Sequence, residues 1–251
     1  MGRFHRHDDG TVHTHDHDHG DHGGYDTGAE RIDVLEAIFA ENDVRANYNR
    51  KAFESNGVRA LNLMSSPGSG KTTVLQATLD ELAGSMAVGV IEGDIATDLD
   101  AAKLGGRGAQ ISLLNTGNGF GGECHLDAPM VNRALQGLDL TSLNLVIIEN
   151  VGNLVCPAEF DVGEHAKAMV YSVTEGDDKP LKYPVMFRAV DVVLLNKIDL
   201  VPYLDIEVDT YIAHVREVNS TATILPISAR TGVGMPAWFD WLGWFMAGPV
   251  A

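Results

Sequence analysis

Apolar positions along this chain follow two different periods. Ile32, Leu35, Ile38 and Phe39 recur at helical spacing, which predicts a helix or helix pair from about Glu30 to Ser55, stopped near Asn56-Gly57. Beyond that point short apolar runs alternate with amphipathic stretches. Ala60–Met64, Met86–Ile91, Gln110–Leu114, Leu143–Ile148, Val190–Leu195 and Thr223–Ile227 predict buried strands, and Val170–Val173 one more. Lys71–Leu82, Val131–Leu138, Val208–Asn219 and Met235–Met246 predict helices. Strands alternating with helices predict a three-layer α/β fold, with a mostly parallel sheet covered by helices on both faces. No internal repeat is visible.

Residues 1–28 break the pattern. His5, His7, His13, His15, His17, His19 and His22 are interleaved with aspartates, and only Phe4, Val12 and Tyr25 are large and apolar. So little apolar surface cannot offset the entropy of ordering, so the segment is expected to be a disordered tail that passes through glycines into the rest of the chain. The expected organisation is a His-rich tail over 1–28, a helical arm over 29–57 and one α/β domain over 58–251.

Charge narrows the function. Acidic residues outnumber basic ones 35 to 18, a formal charge of −17, which argues against binding nucleic acid by phosphate neutralisation. No apolar run approaches the roughly 18–20 residues of a membrane span. A polar start without a secretory pattern, and only two cysteines, Cys124 and Cys156, lead to the expectation of a reducing, cytoplasmic setting.

The strand Leu61–Met64 runs into Ser65-Ser66-Pro67-Gly68-Ser69-Gly70-Lys71-Thr72-Thr73. This is the G-x-x-x-x-G-K-[ST] phosphate loop with Ser65 in place of the first glycine. Gly68 and Gly70 leave backbone N–H groups free for phosphate oxygens, and the following helix adds the positive end of its dipole. Lys71 reaches the β- and γ-phosphates, and the Thr72 hydroxyl ligates Mg²⁺.

Two further motifs lie at strand ends. Asn196-Lys197-Ile198-Asp199 follows an apolar strand. A carboxylate at Asp199 accepts both donors on the guanine edge, which adenine lacks, so the expected nucleotides are GTP and GDP. Asn196 is assigned to the other edge of the base, the Lys197 stem to its face, and the Ser228-Ala229 turn to guanine O6. Glu149, in Glu149-Asn150-Val151-Gly152, stands where nucleoside triphosphatases sense Mg²⁺ and the γ-phosphate, and Asp94 is a second candidate carboxylate. Lys71, Asp94 and Glu149 are thus the candidate catalytic residues. No glutamine is placed to orient the attacking water, so slow intrinsic hydrolysis is expected.

Cys124-His125 lies in a glycine-rich connection and Cys156 shortly after Glu149. Thiolate and imidazole suit Ni²⁺ or Zn²⁺. Two small buried cysteines and a hydrogen-bonded histidine would satisfy the same residues; the histidine tail tips the reading to metal. Its imidazoles bind Ni²⁺ weakly and in several geometries, although an expression tag would also be histidine-rich.

Taken in order, Ser-Ser-Pro-Gly-Ser-Gly-Lys-Thr-Thr, Glu-Gly-Asp-Ile-Ala-Thr-Asp, Glu-Cys-His-Leu, Ile-Glu-Asn-Val-Gly-Asn-Leu-Val-Cys-Pro and Asn-Lys-Ile-Asp closely resemble the HypB-type hydrogenase nickel-incorporation GTPases over about residues 30–247. The resemblance implies a metal- and GTP-dependent homodimer that helps insert nickel into the large subunit of [NiFe]-hydrogenase. It also implies work with a HypA-type nickel chaperone and, in some systems, SlyD. Phosphate and Mg²⁺ roles then fall on Gly68, Ser69, Gly70, Lys71, Thr72, Thr73, Asp94 and Glu149, and the Ni²⁺ or Zn²⁺ site on Cys124, His125 and Cys156. The chain departs from members that begin with Cys-x-x-Cys-Gly-Cys, having no cysteine before Cys124. Two alternatives are a urease-type nickel GTPase, whose hallmark is Cys-Pro-His, and a passive metal store that merely retains the nucleotide fold.

Overall fold

A computed structural model describes residues 5–6, 12–13, 27–93, 106–114 and 125–248, with side chains from residue 36 onward. The chain divides into two units, Met1–Ile38 and Phe39–Ala251. In the first, His5–Arg6 pairs antiparallel with Val12–His13, His5 opposite His13. These two rungs depart from the unstructured tail that composition predicts. Asp94, Cys124, His7, His15, His17, His19 and His22 lie outside the described residues.

The arm is one helix, α1 (Thr27–Ser55), not a pair, and starts inside the expected tail. Its Asn42, Ala46, Asn49 and Phe53 are buried, a face at helical spacing. The arm from Phe39 onward belongs to the larger unit.

The remaining strands are β1 (Arg59–Ser65), β2 (Val88–Glu92), β3 (Gln110–Leu113), β4 (Leu145–Glu149), β5 (Ala166–Ser172), β6 (Val192–Asn196) and β7 (Thr223–Pro226). They form one sheet of seven strands in the order β3-β2-β4-β1-β5-β6-β7. Every neighbouring pair in it is parallel. The sequence marked only the end of β5, because Ala166, Lys167 and Ala168 dilute its apolar run. The helices that follow α1 are α2 (Lys71–Leu82), α3 (Ala128–Leu135), α4 (Cys156–Glu159), α5 (Lys179–Lys182), α6 (Pro184–Arg188), α7 (Val208–Val218) and α8 (Met235–Ala247). Helix α3 begins three residues before its expected start, because Asp127 caps it by accepting from the Met130 N–H at 2.7 Å and Pro129 fills its first turn.

Strand residues alternate between the two faces. Leu61, Leu63, Val90, Ile147, Val170 and Leu194 pack with α2 and α8, where the Trp238 indole donates to Thr78 Oγ1 at 2.9 Å. Ile91, Val146 and Ile148 pack against Phe53 and α3. Met169, Tyr171, Val193 and Leu195 pack against α6 and α7. Among the described residues no helix is long and apolar enough to cross a membrane.

His165, just before β5, makes stability depend on pH. Its Nδ1 accepts the Ala60 N–H at 2.9 Å, so the ring is held neutral. Burial, then the Arg59 and Arg50 charges, outweigh Glu54 and hold its pKa below the ordinary histidine value. The unfolded chain therefore takes up this proton at a higher pH than the folded one. Above the ordinary value near 6.5 the ring is neutral in both states; as pH falls from there toward the lowered folded value, the protein loses stability. His165→Gln is expected to flatten this part of a denaturation-midpoint series against pH, and an unchanged slope would refute the assignment.

Candidate nucleotide site

The C-terminal ends of β1, β4, β5 and β6 converge, as a ligand site in a parallel α/β sheet requires. After β1 the chain turns through Gly68 and Gly70, with φ of 76° and 97°. Gly70 precedes α2, whose first turn has no side-chain cap, so its N–H groups are left for an anion. A Cβ at Gly70 would stand 2.6 Å from Asn196 Nδ2, so the glycine serves close approach as well as the positive φ.

Lys71 and Glu149 are both buried, with Lys71 Nζ 3.0 Å from Glu149 Oε1. The Thr72 hydroxyl donates to the same oxygen at 2.9 Å. Among the described residues the buried Glu149 Oε2 has no hydrogen-bond partner. A hydroxyl and a carboxylate oxygen converge here beside an unsatisfied second oxygen, a donor set that fits a hard cation such as Mg²⁺. Gly152 lies against the loop: a Cβ there would meet Pro67 Cα and N at 3.3 Å. A cavity of about 240 Å³ is lined by Ser65 through Thr73 and Gly152.

A second cavity of about 380 Å³ is lined by Gly70, Thr73, Asn196, Lys197, Asp199, Leu200, Ala229 and Arg230. The two share Gly70 and Thr73, so the phosphate loop and the expected base pocket adjoin. Asp199 Oδ1 accepts from the Ser228 hydroxyl at 2.7 Å. The motif assigns Asn196 to the guanine edge and the Ala229 turn to O6. In the structure Asn196 Nδ2 donates to Ser69 O at 2.9 Å, and its Oδ1 accepts from Ala229 N at 3.1 Å. Asn196 is thus a tether between the phosphate loop and the Ala229 turn. Lys197, at φ 66°, donates from Nζ to Gly68 O at 2.6 Å. A cavity of about 400 Å³ at the opposite ends of the strands, against Arg59, His165 and Trp244, gathers none of this phosphate-loop geometry.

The metal candidates are placed in part. His125 stacks on Phe160, ring centroids 4.1 Å apart, and Phe160 ends the helix that begins at half-buried Cys156. Among the described residues no three His, Cys, Asp or Glu side chains gather to hold a metal. Instead, asparagines that sequence reasoning passed over bind this region to the nucleotide side. Asn150, next to Glu149, accepts the Leu126 N–H at 3.0 Å and donates to Asn62 at 3.2 Å. Asn62 donates to Glu164 at 3.3 Å, whose carboxyl burial pushes up against the opposing Lys167 charge. Asn49 of α1 donates to Ala128 O and Val162 O. Glu175, also unmarked in the motif reading, accepts from Ser66 and Ser69 of the loop. Its available signal was the Ser-x-x-Glu pattern of a capping box at Ser172.

The CobW/HypB/UreG nucleotide-binding domain matches residues 59–226. The hydrogenase maturation factor HypB of Azotobacter chroococcum mcd 1 is 49% identical over 211 residues, covering 84% of this chain and 68% of its own length. That of Escherichia coli (strain K12) is 48% identical over 227 residues, covering 89% of this chain and 77% of its own. The crystal structure of HypB from Helicobacter pylori in complex with nickel matches with a TM-score of 0.76 at 34% identity, over 82% of this chain and 95% of that one.

Proposed function

The chain belongs to the HypB hydrogenase maturation factors of the CobW/HypB/UreG nucleotide-binding family, and from that premise we propose that it binds GTP, hydrolyses it slowly to GDP, and uses the cycle to help insert nickel into [NiFe]-hydrogenase. The observation that carries the reading is the pair of adjoining cavities, one where Lys71 and Thr72 meet Glu149 and the other lined by Asp199. Lys71 leaves Glu149 for the β- and γ-phosphates when nucleotide enters. Thr72 and Glu149, with Asp94, would hold Mg²⁺, which when bound supplies positive charge to the phosphate oxygens. Nickel is cargo. Cys124, His125 and Cys156 are its proposed ligands on the GTPase domain, with Zn²⁺ a competitor, and the tail histidines a weaker reservoir. The partners that follow are a second copy of the chain, a HypA-type nickel chaperone, the hydrogenase large subunit and, in some systems, SlyD; the setting is the cytoplasm.

GTP turnover measured with and without Ni²⁺, together with hydrogenase maturation in a strain lacking its own factor, tests the whole reading; absence of both activities would refute it. Base selection is tested separately. Asp199→Asn is expected to weaken GTP binding about tenfold or more by losing a charged acceptor, and to improve competition by XTP. Unchanged competition would remove Asp199 from the base site.

A further inference from the structure

Glu175 gives the phosphate loop a second hold, separate from the Lys71–Glu149 pair. It ends the 3-10 turn Val173–Glu175 that follows β5. The Ser172 hydroxyl caps this turn, and the Glu175 carboxylate returns to the Ser172 N–H at 2.9 Å. The turn is anchored from beneath, where the Tyr211 hydroxyl donates to Val173 O at 2.6 Å and the Tyr171 hydroxyl to Gly176 O. The carboxylate so fixed faces the neighbouring β1 loop. Its Oε2 accepts from the Ser66 hydroxyl, and its Oε1 lies 2.7 Å from the Ser69 hydroxyl, whose one proton it shares with Ser66 O at 2.8 Å. Those hydroxyl oxygens are themselves 2.7 Å apart. From β6, Asn196 and Lys197 hold the carbonyls of Ser69 and Gly68. Side chains at the ends of two neighbouring strands therefore pin the stretch Ser66–Ser69.

A carboxylate beside a phosphate cradle repels the ligand, so its presence needs a compensating benefit. Order is that benefit. A phosphate loop binds only when successive N–H groups converge, and a stretch with two glycines has many other conformations to lose. A loop fixed in advance does not lose that freedom on binding. We propose that Glu175 is a positioning residue for the nucleotide: through the Ser66 and Ser69 hydroxyls it holds the phosphate loop in its binding shape without touching phosphate. This rests on the reading of the adjoining cavities as a nucleotide site.

The test is nucleotide affinity and turnover in Glu175→Ala, Glu175→Gln and the double variant Ser66→Ala/Ser69→Ala, each checked for folding by its melting temperature. Glu175→Ala is expected to raise the Kd for GTP and GDP alike by about tenfold or more, the scale of lost bonds to a charged group. Turnover at saturating GTP stays near the parent value, because the loop's order serves ground and transition states equally. Glu175→Gln falls between, since an amide oxygen still accepts from one serine. The double serine variant reproduces the loss, and adding Glu175→Ala to it costs little more, as expected of groups acting as one unit. A folded Glu175→Ala with parental Kd, even if less heat-stable, overturns the proposal, as does full additivity with the serine pair. Should Glu175→Ala not fold, Glu175→Gln and the serine pair decide by the same measurements. Lys71→Ala run alongside separates the failures: if it too binds normally, the nucleotide reading itself is wrong, whereas if it alone loses binding, only the role of Glu175 is refuted.

Discussion

Lys71→Ala is expected to lose guanine-nucleotide binding and also to lower the stability of the nucleotide-free protein by about 3 kcal/mol, the scale for removing one partner of a buried ion pair. Sequence alone suggests only the first effect, a cation facing phosphates. The structure adds the second, because Lys71 Nζ lies 3.0 Å from a carboxylate as buried as itself. Without the ammonium, Glu149 keeps the Thr72 hydroxyl as its hydrogen-bond donor at 2.9 Å, while its other oxygen stays unsatisfied. Lys71→Ala combined with Glu149→Gln is expected to regain most of the lost stability and none of the binding, since the charge to be compensated has gone but the phosphates still lack their cation. Urea denaturation of both variants, beside a fluorescent-nucleotide titration, checks each half. Normal nucleotide affinity in Lys71→Ala would sink the phosphate-loop assignment; unchanged stability would show that the pair does not hold in solution. The same pair implies a competition. If nucleotide draws Lys71 away from Glu149, binding is coupled to a change at the end of β4.

Much of this site could be read from the sequence because phosphate loops and Asn-Lys-x-Asp are local: spacing within a few residues, at a strand end, carries the chemistry. What escaped is long-range. Glu175 meets Ser69 across 106 residues and Asn150 meets Asn62 across 88, and no window of sequence holds both partners. Asn42, Asn49, Asn62 and Asn150 are all buried, yet as polar residues they interrupt the apolar patterns by which buried positions are recognised. The tether that Asn196 makes was hidden for a similar reason. Its partners Ser69 and Ala229 lie on two separate loops that only the fold brings to its amide. The offset of α3 was legible in principle, in the Asp127 cap and Pro129, and the apolar run that begins with Met130 and Val131 masked it.

Nickel affinity of the protein lacking residues 1–28 is expected to differ about tenfold between its GDP and GTP-analogue states, and Asn150→Ala is expected to abolish that difference. The size is that of an ordinary coupling between two sites. The route follows from Asn150 standing between Glu149 and the Leu126 N–H that it accepts at 3.0 Å. When Lys71 turns to phosphate, Glu149 loses its ion-pair partner, and any movement at the end of β4 reaches Leu126, and with it His125, through one side chain. Leu126 is fully buried, so the connection has little freedom to absorb the movement elsewhere. The ligands and the relay should separate cleanly. His125→Ala or Cys156→Ala is expected to weaken nickel binding in both states by about a hundredfold, since each removes a donor from a site with few. Asn150→Ala keeps the donors, so it should leave one intermediate affinity that no longer responds to nucleotide. Linkage adds a reciprocal readout: nickel must shift the ratio of GTP to GDP affinity by the same factor in the parent and not in Asn150→Ala. Titrations in both nucleotide states settle the point. Equal affinities in the parent would remove the coupling, and a difference that survives in Asn150→Ala would move the relay to the connection after β4 that leads through Asn153 to Cys156.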